Sequence, residues 1–302
     1  MAVDELQFVE WLRGRQRHHP SVMLGIGDDM AVLAPNSERI LVSSDMLLDS
    51  VHFDSARHPL FQIGRKAIAC SLSDCAAMAV RPLAATVSVA LPDHLPLVRA
   101  EELYAGMFSI AEEFRLAIAG GDTTRWPHPL AIDVAVTATP FSGLDPITRS
   151  AARPGDMLYV TGPLGGSLLQ HHLTFHPRVH EAESLSGCLG RRLHAMIDIS
   201  DGLSLDLWRL CTESKVGANL DERQLHEVIR EDAKRAASSS GRTPLDHALS
   251  DGEDFELLFA VDGEATGTPV PVFPIGRVTE SGLTIARDDG RVETLEPRGY
   301  VH

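Results

Sequence analysis

The chain reads as a mixed α/β protein of two domains. Apolar residues recur with two different periods. They fall on every second position over Leu130–Thr139, where Ile132, Val134 and Val136 share one face, and at helical spacing over Val98–Arg115, where Leu103, Met107, Ile110 and Phe114 line up. A length of 302 residues suffices for two domains. Between the halves lies a polar stretch, Thr148–Asp156, whose Pro154-Gly155 is a turn signal. It divides the chain into residues 1–145 and 146–302.

The elements follow in order. Residues 4–17 form an amphipathic helix with Leu6, Val9 and Leu12 on one side, and Ile40–Ser44 is a short strand. Pro59–Ala79 is a helix offering Ile63, Ala67, Ala77 and Met78 to a core, and Leu83–Leu91 is a strand. After the Val98–Arg115 helix, Leu116–Ala119 is a buried strand that delivers Gly120-Gly121-Asp122. In the second half Met157–Thr161 is a strand. The loop after it, Gly162-Pro163-Leu164-Gly165-Gly166-Ser167, is a strand-to-helix turn whose backbone N–H groups could also meet an anion. Leu203–Leu210 is helical, while Phe255–Val261, Val272–Val278 and Leu283–Ala286 are strands. Ser238-Ser239-Ser240-Gly241 and Gly263–Pro271 read as mobile loops. No exact internal repeat is present.

Composition narrows the function. The net charge of −15 argues against a nucleic-acid or anionic-membrane surface, both of which need a basic footprint. No run of about 18 apolar residues exists to span a membrane. Met1–Arg17 carries acids and lacks a long apolar core, so a cytoplasmic protein without a signal peptide is expected. Cys70, Cys75, Cys188 and Cys211 form no CxxC pair and read as buried free thiols. There is no GxxxxGK[ST] loop, and the lysines are Lys66, Lys215 and Lys234 alone, which excludes a P-loop enzyme.

Acidic residues recur where strand-like runs give way to turns: Gly27-Asp28-Asp29, Ser43-Ser44-Asp45, Ser73-Asp74, Gly120-Gly121-Asp122-Thr123-Thr124 and Asp198-Ile199-Ser200-Asp201-Gly202. One Asp at a turn is ordinary local hydrogen bonding. Five such segments suit hard divalent cations, because Mg²⁺ takes oxygen ligands and keeps room for water and phosphate. Phosphoryl transfer asks mainly for positioning and charge neutralisation. With so little lysine, carboxylate-held Mg²⁺ is the available source of positive charge.

The motifs in their order resemble those of the thiamine-monophosphate kinase family, within the superfamily that also holds aminoimidazole ribonucleotide synthetase and selenophosphate synthetase. They are Gly25-Ile26-Gly27-Asp28-Asp29, Ser43-Ser44-Asp45, His52-Phe53, Ser73-Asp74-Cys75-Ala76-Ala77-Met78, Gly120–Arg125, Arg149-Ser150 with Pro154-Gly155-Asp156, Val160-Thr161-Gly162, Ile197–Leu203 and Gly252–Leu257. The resemblance implies ATP-dependent phosphorylation of thiamine monophosphate to thiamine diphosphate, by direct transfer of the γ-phosphoryl group. It implies Mg²⁺ ligands at Asp29, Ser43, Ser44, Asp45, Asp74 and Asp122, with Asp45, Asp74 and Asp122 central to catalysis. Asp198 and Asp201 become further metal-binding acids. It implies nucleotide contacts at Tyr104, Gly121, Asp122, Arg149 and Ser200, and substrate contacts at His52, Glu253 and Tyr300. It further implies two α/β domains. The first would bind ATP and Mg²⁺ and join its sheet to a partner's as a barrel across a homodimer, and the second would complete the substrate site.

Each residue also has a plainer reading. Asp28 caps a turn, His52 is a surface histidine, and Tyr104 packs beside Leu103 and Met107. The chain departs from the family pattern in four places. Gly165–Ala195 is short, Asp251 stands where a second glycine is common, Met30 replaces a small residue, and Asn219–His247 has a charged, helical look. Two other functions stay open at this point: another ATP-using member of the superfamily with a different phosphorylated acceptor, and a non-catalytic binder of nucleotide or thiamine phosphate.

Overall fold

A computed structural model describes residues 2–26 and 31–300, with the backbone alone for residues 2–7, 9 and 97. The chain divides into two compact units, one of Met1–Cys75 and Arg81–Pro140, the other of Ala76–Val80 and Phe141–His302.

In the first unit α1 (Ala2–Arg15) is followed by β1 (Val22–Leu24) and β2 (Val32–Leu33), an antiparallel pair. Then come β3 (Leu41–Leu48), α2 (Leu60–Ala77), β4 (Val80–Pro92), α3 (Leu97–Glu113), β5 (Ala117–Trp126) and β6 (Ala131–Pro140). The last four strands of this unit form one sheet in the order β3-β6-β4-β5. β3 runs antiparallel to β6, from Leu41 opposite Ala138 to Leu48 opposite Ala131. β4 and β5 are parallel, as the intervening α3 crossover requires, with a bulge that skips Ala119. The alternation read from the sequence is real: Ile132, Val134 and Val136 are buried, and the residues between them are half-buried.

Helices α2 and α3 meet at two glycines. A Cβ on Gly64 would collide with the Leu103 carbonyl oxygen, and one on Gly106 with the Phe61 carbonyl oxygen. The backbones therefore touch, and Ile63, Ala67, Leu103, Met107 and Ile110 are sealed from water around the crossing.

The second unit is built on a seven-stranded sheet in the order β13-β12-β9-β11-β7-β10-β8. Its strands are β7 (Met157–Val160), β8 (Leu193–Asp198), β9 (Gly217–Asp221), β10 (Leu257–Val261), β11 (Phe273–Thr279), β12 (Leu283–Ala286) and β13 (Val292–Thr294). All pairings are antiparallel except β12 with β9. β10 is apolar throughout and wholly buried, the pattern of a strand covered on both faces. The helices are α4 (His171–Thr174), α5 (Val179–Leu189), α6 (Leu203–Ser214), α7 (Glu222–His226), α8 (Glu231–Ser240) and α9 (Pro244–Ser250).

Several expectations needed correction. The strand expected over Ile40–Ser44 runs on to Leu48, because Met46-Leu47-Leu48 continues its alternation against β6. Ser238–Ser240 is no loop but the end of α8, where Gly241 at φ 72° terminates the helix. α9 then starts on a capping box between Thr243 and Asp246 with Pro244 in the first turn. Of the four thiols, Cys75 and Cys211 are buried, Cys70 is half-buried and Cys188 is exposed.

The glycine crossing makes a stability prediction. Gly106→Ala should lower the unfolding free energy by about 1–3 kcal/mol, since the added methyl forces two backbones apart. Gly187→Ala, inside α5 with nothing near its Cβ, should be neutral or stabilise by roughly 1 kcal/mol. Urea unfolding of both variants checks this, and equal effects would discount the contact.

Candidate active site: a carboxylate cluster in each unit

In the first unit the cluster is set by the period of β3. Ser43 and Asp45 face inward, and Val42, Ser44 and Met46 face outward. From α2, Ser71 donates to Asp45 Oδ2 at 2.6 Å, and Asp74 follows one helical turn later. Burial pushes the Asp45 carboxyl up to about 6, and the charges of Asp74 and Asp133 add to that rise against the Ser71 hydrogen bond. The hydroxyl of Ser43 is buried and has no hydrogen-bond partner among the described residues. An orphan hydroxyl beside a raised carboxylate and a second acid is a donor set that suits a hard divalent cation. Ser44 lies apart from it, donating to Asp133 Oδ1 at 2.8 Å on the outer face.

Asp122 is exposed on β5, opposite Ser88, and accepts the Thr123 N–H at 2.9 Å. β3 and β5 stand three strand spacings apart, about 14 Å, so Asp45 and Asp122 occupy different parts of the sheet. Gly121, at φ 152°, leaves no room for a side chain, because a Cβ would collide with the Val87 carbonyl. Tyr104 is buried edge-on to Phe8, with its hydroxyl 3.3 Å from Thr123 Oγ1. Burial pushes its phenol up to about 12, eased by the Thr123 hydrogen bond and reinforced by the Asp122 charge. The packing reading of Tyr104 thus accounts for its ring, and its hydroxyl reaches the residue next to Asp122.

His52 is half-buried in the turn after β3. Its Nδ1 accepts the Leu48 N–H at 3.0 Å, which leaves a neutral ring's proton on Nε2. Its carbonyl accepts from Lys66 Nζ at 2.6 Å, a lysine with no exposed surface. Asp29, with the whole Gly27–Met30 segment, lies outside the described residues.

The second cluster forms where β8 ends at Asp198. Here the chain binds itself across long sequence gaps. Glu253 N–H donates to the Ser200 carbonyl at 2.6 Å, Phe255 N–H to Ile199 at 2.8 Å, and Tyr300 N–H to Asp201 at 2.9 Å. Asp198, Ser200, Asp201, Glu253 and Tyr300 are thereby brought together. Glu253 sits at φ 53° and Phe255 at φ 51°, a left-handed conformation uncommon for side-chain-bearing residues and typical of functional loops. Tyr300 keeps 43% of its surface exposed. Arg149 is elsewhere in this unit: its carbonyl accepts from Ser214 at the far end of α6, about 16 Å along the helix from Asp201.

The glycine loop after β7 has a different use from anion binding. Gly165 N–H donates to Asp254 Oδ1 and Gly166 N–H to Asp251 Oδ2, each at 2.9 Å. Asp251, the departure noted above, also pairs with Arg242 and His247 at 2.8 Å, and its φ of −72° needs no glycine. Sequence reading also passed over Asp206 and Arg209 of α6, whose three-residue spacing is the one signal that could have shown them as a pair.

Three of the first unit's acids that the sequence placed at turns stand in regular elements. Asp45 and Asp122 lie within strands and Asp74 within a helix. Regular elements hold a ligand atom more firmly than a turn does, because the neighbouring ladder fixes the backbone.

This architecture is that of the AIR synthase-like proteins. Residues 27–140 match the family model for AIR synthase related protein, N-terminal domain. Within that class the chain belongs to the thiamine-monophosphate kinase family. It is 42% identical to thiamine-monophosphate kinase of Rhodopirellula baltica, over 99% of this chain and 97% of that one. The crystal structure of thiamine-monophosphate kinase from Stenotrophomonas maltophilia K279a superposes with a TM-score of 0.78 at 30% identity, covering 93% of this chain and 95% of that one. The structure of AaThiL complexed with AMPPCP and TMP gives a TM-score of 0.75 at 26% identity, covering 94% and 88%.

The raised Asp45 carboxyl has a pH signature. A carboxyl held above its ordinary value of 3.8 makes the folded chain bind the proton more tightly than the unfolded one. Its contribution to stability is therefore greatest below about pH 4 and is lost as pH rises to about 6. Asp45→Asn removes the buried charge. In chelator, the variant should melt above the parent at about pH 8 and with it at about pH 4. A variant that melts below the parent at the higher pH would show that Asp45 is not strained by charge.

Proposed function

We propose that the chain is an ATP-dependent kinase that converts thiamine monophosphate to thiamine diphosphate, by direct, Mg²⁺-assisted transfer of the γ-phosphoryl group. The observation that carries this reading is the joining of Glu253 and Tyr300 to the Asp198–Asp201 loop, in a chain related over 99% of its length to a thiamine-monophosphate kinase. Thiamine phosphates are cationic at the ring and anionic at the phosphate. Glu253 supplies a carboxylate for the cationic ring, and the exposed Tyr300 ring supplies a face for it to stack on. His52, with its proton on Nε2, is the further substrate contact.

The nucleotide and the acceptor phosphate need positive charge, of which Arg149 offers a part. Mg²⁺ supplies that charge when bound, neutralising the oxygens between which the phosphoryl group moves. Asp29, Ser43, Ser44, Asp45, Asp74 and Asp122 in the first half, with Asp198 and Asp201 in the second, are the residues that would hold several such ions, since Ser44 and Asp122 stand apart from Asp45. Tyr104, Gly121, Asp122, Arg149 and Ser200 are the nucleotide contacts. The planar fork of Arg149 suits phosphate oxygens. Transfer without a phospho-enzyme agrees with the state of Cys75, whose thiol is buried next to Asp74 and Asp45 and pushed up by both burial and their charge.

Residues 1–145 then carry the metal and nucleotide functions and 146–302 the remaining substrate contacts. A homodimer belongs to the same reading. Its support is β3, a sheet edge with Val42 70% and Met46 62% exposed, which a second copy would cover. So does a cytoplasmic location; among the described residues no helix is long and apolar enough to cross a membrane.

The test is an end-point assay with ATP, Mg²⁺ and thiamine monophosphate, separating thiamine species by chromatography. Thiamine diphosphate should appear only when all three are present. Product formed without Mg²⁺, or ATP consumed without the acceptor, would reject the reading. Asp122→Asn should lower turnover about 100-fold or more in a folded protein. Near-normal turnover would remove Asp122 from the metal set. Glu253→Gln should raise KM for thiamine monophosphate about tenfold and leave KM for ATP within twofold, as expected for a lost contact to a charged group. Equal losses for both would take Glu253 out of the substrate site.

A further inference from the structure

At the start of α6 a closed ring of hydrogen bonds surrounds Asp201. Asp206 has no exposed side-chain surface, yet it accepts three hydrogen bonds through its two oxygens. Its Oδ2 accepts the backbone N–H of Asp201 at 2.9 Å and of Gly202 at 3.1 Å. Its Oδ1 accepts from Arg209 Nη1 at 2.7 Å, and the same Nη1 donates to Asp201 Oδ2 at 2.5 Å. Backbone and side chain of Asp201 are thus both tied to one buried carboxylate, the first directly and the second through a guanidinium.

Helix capping explains half of this ring. α6 begins after Gly202, and Asp206 in its first turn reaches back through Oδ2 to the Gly202 and Asp201 N–H groups, as the returning arm of a capping box does. Capping needs nothing from Oδ1. The arm through Arg209 ends on the carboxylate of Asp201, so it serves the acid and not the helix. A guanidinium on one oxygen of a carboxylate fixes the plane in which the other oxygen faces, and outer partners of this sort orient metal-binding carboxylates and set their affinity.

We infer that Asp206 and Arg209 are positioning residues that orient Asp201 for a divalent cation. The inference rests on the reading of Asp201 as a metal-binding acid, and it adds two residues that this reading did not contain. Arg209 is the informative position, because its replacement leaves Asp206 Oδ2 on the two backbone N–H groups while cutting the bonds from Nη1 to Asp201 Oδ2 and Asp206 Oδ1, the second of which the unfolding temperature monitors.

The experiment is a titration of the full-length protein with Mn²⁺ in the presence of AMPPCP, reading free Mn²⁺ by electron paramagnetic resonance, with unfolding temperatures as the check on folding. Asp201→Asn, Arg209→Gln and the parent are compared. Arg209→Gln should weaken Mn²⁺ binding about tenfold, as loss of an orienting partner does. In the assay it should raise the Mg²⁺ requirement while KM for thiamine monophosphate stays within twofold. Parent-like Mn²⁺ binding by Arg209→Gln, with binding weakened in Asp201→Asn, would overturn the positioning role and leave the metal reading intact. Parent-like binding by Asp201→Asn would instead overturn the metal reading at that acid, and the inference with it. Should Arg209→Gln fail to fold, Arg209→Lys carries the same test. It keeps a charge beside Asp206 on a flexible stem that does not fix one nitrogen between the two carboxylates as Arg209 Nη1 is fixed, so weaker Mn²⁺ binding is expected and unchanged binding overturns the inference.

Discussion

Buried carboxylate charge is the constraint this chain is organised around. Moving an acid out of water is expensive unless a cation or several donors meet it, and the two units answer that demand differently. In the second unit the buried acids are met from within. Asp206 has Arg209 and two backbone N–H groups. Glu256 takes both arms of Arg178 at 2.7 and 2.8 Å. Asp156 faces His194 at 2.9 Å, and Asp254 collects Gly165 N–H, Ser167 and Arg230 on one oxygen. In the first unit Asp45 meets the hydroxyl of Ser71, with the acids Asp74 and Asp133 as its charged neighbours. Burial is the larger cause of its raised carboxyl and the charges of Asp74 and Asp133 add to it, while the Ser43 hydroxyl finds no hydrogen-bond partner among the described residues.

An acid met by its own chain stiffens whatever it ties down. Asp251 and Asp254 are examples: they bind the Gly165-Gly166 turn onto the loop that carries Glu253. Burial still pushes Asp254 up to about 7, because Oδ2 has no hydrogen-bond partner to offset its desolvation.

Backbone proximity does the remaining work. The 251–255 loop lies on the 198–202 loop through main-chain hydrogen bonds, and the close fit depends on Gly252, whose Cβ would stand 2.9 Å from the Ser200 carbonyl oxygen. At φ 74° Gly252 also begins the left-handed run that Glu253 continues. Glu253 therefore projects from a conformation held by its neighbours, and the strain is repaid by the hydrogen bonds to Ser200 and Ile199.

By itself the sequence determined the local elements and the chemistry in outline. The period of two in Ile132-Val134-Val136 and the helical spacing of Leu103, Met107, Ile110 and Phe114 report one-dimensional patterns that survive folding, and both elements are present. The scarcity of lysine and the recurrence of Asp beside small residues pointed to oxygen-held cations for the same reason, since ligand chemistry is a property of residue type. Only the tertiary structure decided the environment of each acid. Strand parity split Ser43 from Ser44, and the extension of β3 placed Asp45 within a ladder instead of at a turn. Asp206 and Arg209 drew no notice in the sequence, and only folding set Asp201 against both. Burial, partner and orientation depend on residues up to about a hundred positions away, as Tyr300 is from Asp201, and no local pattern encodes a contact of that range.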